Sequence, residues 1–224
     1  MKTMLTLAGL ILLTACGSGG PPPPDWKTDA ADLTQRYQKH ALLGENTLAE
    51  RYFQQAISAT GGAGRVTETA RLWLVHCATR RAMLIDDPCA EYKELSDLEP
   101  NIENQAYYRF ITLNWDDLDV TLLPGQHHLL VRSSPTRRHE ALAKIEDPLA
   151  RLLDASLLVM RQEANAATLS LATETASEQG WRQPLLTYLK LQQKQAAARG
   201  DVPEDARLSR RIQLVEKSLV LIHE

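Results

Sequence analysis

The side chains best suited to acid–base or metal chemistry are histidines, and three of them lie in one stretch, at His127, His128 and His139. Histidine changes charge near neutral pH and its ring nitrogens bind metal ions. An enzyme built on them would need a deep polar pocket that also holds an acidic residue such as Asp117 or Glu140. Adjacent side chains diverge on both helices and strands, so His127 and His128 are poorly placed to bind one metal ion.

Motifs of the common catalytic classes do not accompany these histidines. The sequence contains no Gly-x-Ser-x-Gly, His-Glu-x-x-His or Cys-x-x-Cys-His pattern and no phosphate-binding glycine loop. Acidic pairs such as Asp86-Asp87 and Asp116-Asp117 suit helix caps better than catalytic carboxylate pairs, because neighbouring side chains point apart. We therefore predict a protein that is not an enzyme and that binds neither a metal ion nor a non-covalent cofactor.

Cys77 and Cys89 are the two cysteines inside the body of the chain. A disulfide between them would close a short loop and stabilise the fold by about 3 kcal/mol. It requires residues 86–88 to fold back until the two Cα atoms are within about 7 Å of each other. The alternative is two small buried apolar side chains. A zinc site is disfavoured, because the spacing is not that of a zinc knuckle and His76 projects to another face.

The third cysteine, Cys16, ends an N-terminal leader. Lys2 supplies a positive charge, residues 5–13 form a short apolar run, and small residues follow. These features are typical of a secretory signal whose apolar segment is too short to cross a bilayer comfortably. Leu13-Thr14-Ala15-Cys16 resembles the lipobox of bacterial lipoproteins. The resemblance implies a signal peptide over residues 1–15, cleavage before Cys16, and covalent lipid, including palmitate, on Cys16.

Residues 16–24 form the predicted tether. Gly17-Ser18-Gly19-Gly20 is a flexible spacer, and the four prolines that follow are stiff and exclude a continuous membrane helix running into the domain. Gly17 stands where an aspartate would suggest retention in the inner membrane, so the lipoprotein resemblance implies an outer-membrane anchor on the periplasmic face. The alternatives are an ordinary signal peptide with a chance cysteine and an uncleaved N-terminal anchor.

Composition and periodicity predict an all-α domain over residues 25–224. Hydrophobic residues make up 44% of the 224-residue chain but aromatic ones only 5%, so the core should be mostly aliphatic. The formal charge of -3 provides no electrostatic footprint for nucleic acid. Apolar stripes and helix breakers predict helices over residues 25–43, 47–60, 66–85, 89–98 and 102–113. Four more are predicted: one after Asp147-Pro148, one over residues 166–179, one marked by residues 185–196 that ends at Gly200-Asp201, and one that begins at Pro203.

Ala49, Phe53 and Ala56 carry a second resemblance. Their spacing is similar to that of the second helix of tetratricopeptide repeats, in which small residues let two helices approach and an aromatic ring fills the groove. Leu33 stands at the repeat's first large apolar position, whereas His40 replaces its tyrosine and Gly61 its proline. The resemblance covers about thirty residues and implies antiparallel helical hairpins, arranged as an irregular TPR-like α-solenoid or as a helical bundle.

The least regular stretch, residues 116–135, is a candidate boundary between two halves of the domain. Acidic residues and Pro124-Gly125 interrupt it, and residues 126–132 are compatible with either a helical turn or a buried strand. The last helix carries a near-heptad apolar stripe, which at two heptads is too short to predict an oligomeric state.

Two groups of side chains are candidates for a partner surface. Aromatic residues cluster between residues 107 and 115, where they either pack inside the domain or anchor a partner. Basic residues between 132 and 139 either solvate a helix start or contact an anionic partner or glycan. The candidate surface residues are Tyr107, Tyr108, Trp115, Arg132, Arg137 and Arg138.

These observations together predict a lipoprotein that binds a protein partner. Stacked helical hairpins present grooves and concave surfaces. We expect a membrane-anchored periplasmic module that binds or scaffolds an envelope protein in envelope assembly, secretion or cell-wall synthesis. The alternatives are an envelope enzyme or its accessory domain, and a carrier of a small ligand or lipid with a large apolar cavity.

Overall fold

In the computed structural model the described residues are 22–220, and within them the chain forms eleven α-helices, three short 3-10 turns and no β-strand. The predicted all-α architecture is confirmed. The leader and Cys16 lie outside the described residues. The helices are α1 (Asp25–Leu43), α2 (Asn46–Gly62), α3 (Val66–Ala82), α4 (Ala90–Leu98), α5 (Ile102–Ile111), α6 (His128–Arg132), α7 (Arg138–Leu142), α8 (Pro148–Met160), α9 (Ala166–Glu178), α10 (Arg182–Ala198) and α11 (Val202–Val220).

Helices α1 and α2 form an antiparallel hairpin. Ala49, Phe53 and Ala56 are all buried, and the Phe53 ring lies 5.1 Å from the ring of Tyr37 in α1 and 4.7 Å from that of Trp73 in α3. The small alanines allow the backbones to approach, and the aromatic ring fills the space that remains. The face that carries the tetratricopeptide-like spacing is therefore the face that packs against the neighbouring helices.

Gly44 ends α1 in a left-handed conformation with φ 82°, and its amide donates to the carbonyl of Ala41. A Cβ at this position would lie 3.0 Å from Leu219 Cδ2 of α11. Glycine is therefore required twice here, for the backbone conformation and for the close approach of the last helix.

We expect Gly44→Ala to lower the free energy of unfolding by about 1–2 kcal/mol, because alanine is strained at positive φ and crowds α11. Urea denaturation followed by circular dichroism measures the change. Gly61→Ala is the matched control: Gly61 lies in α2 with open space around its Cα, so alanine should stabilise the helix by about 0.5–1 kcal/mol. Equal effects of the two substitutions would contradict this account of Gly44.

Two helices lie at the centre of the domain. Helix α3 packs against α1, α2, α4, α5 and α8, and α8 packs in turn against α7 and α9. Eight of the thirteen residues of α8 are buried, which follows from a sequence that is apolar almost all the way round. Helices α9, α10 and α11 continue the antiparallel series, and α10 also contacts α1. Both halves of the chain therefore share one packed interior.

The irregular stretch belongs to that same interior. It contains 3-10 turns at Val120–Leu122 and Gly125–His127, followed by the single-turn helix α6. Leu118, Leu123 and Leu130 from this stretch are buried in the main hydrophobic core, which also includes residues of α1 and α10. The predicted boundary at residues 116–135 is wrong, because the segment is not a linker between separately packed halves.

Among the helices of residues 22–220, none combines the length and the apolar character needed to cross a bilayer.

Candidate functional site

A buried acid–base pair lies at the junction of α8 and the irregular stretch. Asp154 is 0% exposed in the middle of α8, and His127, 1% exposed, closes the 3-10 turn that begins at Gly125. His127 Nδ1 and Asp154 Oδ1 are 2.7 Å apart. The imidazole also packs against the Phe110 ring of α5, with 4.7 Å between ring centroids. Residues from three elements thus fix the orientation of this histidine.

Burying this pair costs free energy, because only one of the two carboxylate oxygens of Asp154 has a hydrogen-bond partner. Asp154 Oδ2 is buried and has no hydrogen-bond partner among the described residues. Burial raises the pKa of Asp154, and the hydrogen bond and charge of His127 oppose that rise without cancelling it. A carboxylate kept in an apolar helix at such a cost is a candidate for function, because strongly perturbed groups concentrate at binding and catalytic sites.

A pocket of about 250 Å³ opens beside the imidazole, and we call it the His127 pocket. Helices α1, α3, α5 and α8 and the turn before α6 all contribute to its walls. Its lining combines aliphatic side chains with polar ones, one of which is an acid: Gln38, Val75, Ala78, Thr79, Tyr107, Gln126, His127, Asp147, Leu149, Ala150 and Leu153. This composition suits a small ligand that has an apolar part and at least one hydrogen-bonding group.

A second pocket, of about 380 Å³, adjoins the first and shares Val75 and Tyr107 with it. We call it the α3–α5 groove. Leucine and proline side chains form much of its wall, and charged groups lie beside them: Arg71, Leu74, Val75, Glu103, Asn104, Tyr107, Leu122, Leu123 and Pro124. Arg71 Nε donates to Asn104 Oδ1 at 3.2 Å, and Asn104 in turn donates to the Thr67 carbonyl. These bonds join α3 to α5 along the groove.

Tyr107 stands between the two pockets. Its ring lies 6.0 Å from that of His127, and burial together with the nearby Asp154 charge raises the pKa of its hydroxyl. Tyr108, the next residue, faces elsewhere: its ring stacks on Tyr92 at 5.0 Å and Lys93 Nζ lies 5.8 Å from its centre. Of the predicted aromatic surface, Tyr107 lines both of these pockets.

Trp115 and Arg138 do not belong to an exposed surface, so that prediction is wrong for both. Trp115 is 9% exposed and Arg138 8%. The guanidinium groups of Arg138 and Arg161 lie 4.7 and 4.4 Å from the Trp115 ring, and both also bind the Glu163 carboxylate. Cation–π contacts and ion pairing therefore keep these residues within the domain.

The remaining predicted basic residues are accessible. Arg132 and Arg137 are exposed, and Arg137 pairs with Glu140 one helical turn away. His139 is half-buried in α7. An exposed pair of this kind contributes little to stability, so these side chains are available to a partner.

The predicted alternative of an enzyme requires the histidines to share one pocket with Asp117 or Glu140, and the structure does not place them together. His128 is turned away from the His127 pocket and its Nε2 lies 2.9 Å from the Leu123 carbonyl oxygen. Glu140 pairs with Arg137, and Asp117 is exposed. The carboxylate that His127 contacts is instead Asp154, twenty-seven residues further along the chain.

Sequence reasoning missed Asp154. Its signal is local: it is the one ionisable residue in Leu-Leu-Asp-Ala-Ser-Leu-Leu, the most apolar part of α8. An acid in the middle of a helix that is apolar on all sides must be buried, and a buried acid requires a partner. The identity of that partner could not be inferred, because His127 lies in the irregular stretch.

Cys77 and Cys89 are joined as a disulfide, with Cα atoms 5.8 Å apart. The chain folds back through Asp87, whose Oδ1 accepts from the Cys89 amide at 2.8 Å and whose Oδ2 lies 2.7 Å from Arg80 Nε. Asp87 was predicted to cap α4, but Cys89 is the residue at that position and α4 begins at Ala90. The Asp87 oxygens also lie near both sulfurs, an arrangement that could hold a cation only after reduction of the disulfide.

We expect the double variant Cys77→Ala/Cys89→Ala to lose about 3 kcal/mol of unfolding free energy. The disulfide links residues 12 positions apart and so lowers the conformational entropy of the unfolded chain. Guanidinium denaturation with and without dithiothreitol measures the change. Reductant should destabilise the wild type to the same extent and leave the double variant unaffected. A reductant effect on the double variant would show that another process is responsible.

Comparison of the chain with protein-family models, with curated proteins and with solved structures finds no match.

Proposed function

We propose that the protein is a lipid-anchored periplasmic module that binds a protein partner in envelope assembly, secretion or cell-wall synthesis. The observation that carries this proposal is the α3–α5 groove, which joins an apolar wall to charged groups at its edge. Such a combination is typical of surfaces that take up an apolar side chain of another protein and orient it by polar contacts.

Buried core residues form part of the wall of the groove. Leu74, in α3, and Leu123 are buried core residues, so the wall is continuous with the protein interior. Arg71 and Glu103, on the facing edges, are exposed and carry opposite charges. A partner segment with one large apolar residue and flanking polar groups would bury apolar area while its polar groups remain solvated or paired.

The lipid anchor is the second part of the proposal and rests on the lipobox-like residues that end at Cys16. We expect Cys16→Ala to abolish membrane association, because the acyl chains that hold the protein would no longer be attached. Membrane fractionation and metabolic labelling with palmitate measure this. A variant that retains label and stays in the membrane fraction would contradict lipidation at Cys16.

In vivo cross-linking with affinity purification and mass spectrometry tests the partner. We expect a single envelope-machine component to be captured by the wild type and lost in Cys16→Ala. A second variant, Leu122→Asp, places a charge at the half-buried edge of the groove and should lose the same partner while remaining in the membrane. Glu146→Ala, an exposed change outside the groove, is its control. Retention of the partner by Leu122→Asp would exclude the groove as its binding site.

A further inference from the structure

We propose that the His127 pocket binds an alkylammonium group, with His127 Nε2 accepting a hydrogen bond from the ligand and Asp154 holding the imidazole in place. The site differs from the α3–α5 groove and does not depend on the lipid anchor. The ligand chemistry could belong either to a free primary amine or to a lysine side chain of another protein.

The first observation is a ring nitrogen without a partner. His127 is 1% exposed and lines the pocket, and its Nδ1 is bonded to Asp154. No hydrogen bond joins its Nε2 to any residue between 22 and 220. When Nδ1 carries the proton shared with Asp154, Nε2 presents a lone pair. The imidazole edge that faces away from Asp154 is therefore set up to accept a hydrogen bond from a ligand.

The second observation is a buried carboxyl group that no lysine or arginine of the described residues pairs with. Asp154 forms no ion pair with a lysine or arginine of the described residues, and its Oδ2 is unsatisfied. When the carboxyl group is ionised and the imidazole is neutral, the pair carries one net negative charge in the core, which is costly without a counter-charge. A cationic ligand at Nε2 would supply that counter-charge through the imidazole.

The third observation concerns the charge of the lining itself. Asp147 is the charged carboxylate among the lining residues, and neither lysine nor arginine is present there. Gln38, Gln126 and Tyr107 add oxygen atoms that can accept further hydrogen bonds. The pocket therefore favours a cation with several donors over a carboxylate or phosphate of the same size.

The walls and volume define the rest of the ligand. Val75, Ala78, Leu149 and Leu153 form an aliphatic surface beside the polar groups. A space of about 250 Å³ is enough for a chain of four carbons with its ammonium group. A short alkyl chain would bury its methylene groups against these walls while the ammonium reaches Nε2.

The test is a titration of the full-length protein, labelled with ¹⁵N at histidine, with three probes that share a four-carbon chain. We use n-butylamine, n-butanol and butyrate, which at neutral pH are cationic, neutral and anionic. We expect n-butylamine to shift the His127 ring nitrogens with a dissociation constant of order 1 mM, in keeping with so few atoms. Butanol should bind about tenfold more weakly and butyrate not at all. Binding of butyrate as tight as that of n-butylamine would overturn the proposal, as would no shift with n-butylamine.

Two matched pairs of variants assign the site. His127→Gln should weaken n-butylamine binding at least tenfold, whereas His128→Gln, one residue along and bonded to the Leu123 carbonyl, should not. Tyr107→Phe removes the hydroxyl of a residue that lines the pocket and should weaken binding about threefold, whereas Tyr108→Phe should leave it unchanged. If His127→Gln does not fold by circular dichroism, the tyrosine pair decides: equal affinity of Tyr107→Phe and wild type would overturn the proposal.

A fourth probe distinguishes the two sources of the ligand. Nα-acetyl-lysine N-methylamide carries the same ammonium chain on a peptide backbone, and its norleucine analogue lacks only the ammonium. Binding of the lysine compound as tight as that of n-butylamine assigns the site to a lysine of another protein; binding of n-butylamine alone assigns it to a free amine. Equal binding of the lysine and norleucine compounds would overturn the ammonium recognition that both sources share.

Discussion

Phe110→Ala is expected to lower the free energy of unfolding by about 3–5 kcal/mol, the range for truncating a fully buried phenylalanine. Phe110 is 0% exposed in α5, between the Trp115 ring at 5.6 Å and the His127 ring at 4.7 Å. Its backbone carbonyl also accepts a hydrogen bond from Trp115 Nε1 at 2.7 Å. The truncation therefore opens a cavity where α5, the irregular stretch and α8 meet.

The cavity also removes one of the contacts that hold the imidazole. We expect the His127 ring resonances of Phe110→Ala to broaden, because the ring loses a packing neighbour while its bond to Asp154 remains. Denaturant unfolding and histidine NMR measure the two effects. Ile102→Ala in the same helix is the control: Ile102 is 62% exposed, so its truncation should change stability by less than about 0.5 kcal/mol. A Phe110→Ala protein as stable as the control would contradict this packing.

Glu163→Gln is expected to destabilise the protein by about 3–4 kcal/mol, because it leaves a buried guanidinium without its counter-charge. Glu163 binds both Arg138 and Arg161, with 2.9 Å between Arg161 Nε and Glu163 Oε1. Both guanidinium groups lie over the Trp115 ring, so the cluster ties α7 to the end of α8 and to the residues after α5. Glutamine retains the shape of glutamate but not its charge.

The destabilisation caused by Glu163→Gln should become smaller as the pH falls. Burial opposes ionisation of Glu163, but Arg138 and Arg161 outweigh it and hold the pKa of this carboxyl below its ordinary value of 4.5. A carboxyl with a lowered pKa stabilises the fold above its unfolded pKa, and that contribution is lost as the pH falls through the folded pKa. The difference between wild type and Glu163→Gln should therefore be full at neutral pH and shrink as the pH falls below 4.5.

Glu140→Gln is the matched control for the charge change. Glu140 pairs with Arg137 on the surface of α7, with both side chains more than half exposed. Exposed pairs contribute about 0–1 kcal/mol, so its loss should be small and independent of the Trp115 cluster. A difference between Glu163→Gln and wild type that stays constant from neutral pH to pH 3 would show that packing rather than charge explains the destabilisation.

The regular helices could be predicted from the sequence because their signals are local. Helix α1 occupies the predicted span, from the end of the proline run to the glycine at position 44, and α5 begins at Ile102 as predicted. Apolar spacing and helix breakers act within a few residues, so neighbouring sequence is enough to define them.

Errors arose where a side chain's environment depends on residues far along the chain. Arg138 has the composition of a solvated helix start, yet it is buried because Glu163, twenty-five residues later, supplies a counter-charge. Trp115 has the composition of an interface anchor, yet two arginines cover its ring. Local sequence indicates which residues are polar or aromatic, but not whether a distant partner will allow them to be buried.

The sequence by itself determined an all-α chain of antiparallel hairpins with a mostly aliphatic core, because helix periodicity and helix termini are encoded within a few turns. It also provides the lipobox-like leader on which the proposed anchor rests. Only the tertiary structure brought His127 to Asp154 and opened a pocket beside them. That juxtaposition depends on the packing of α3, α5 and α8 around an irregular segment, and no local pattern specifies how such a segment is placed against distant helices.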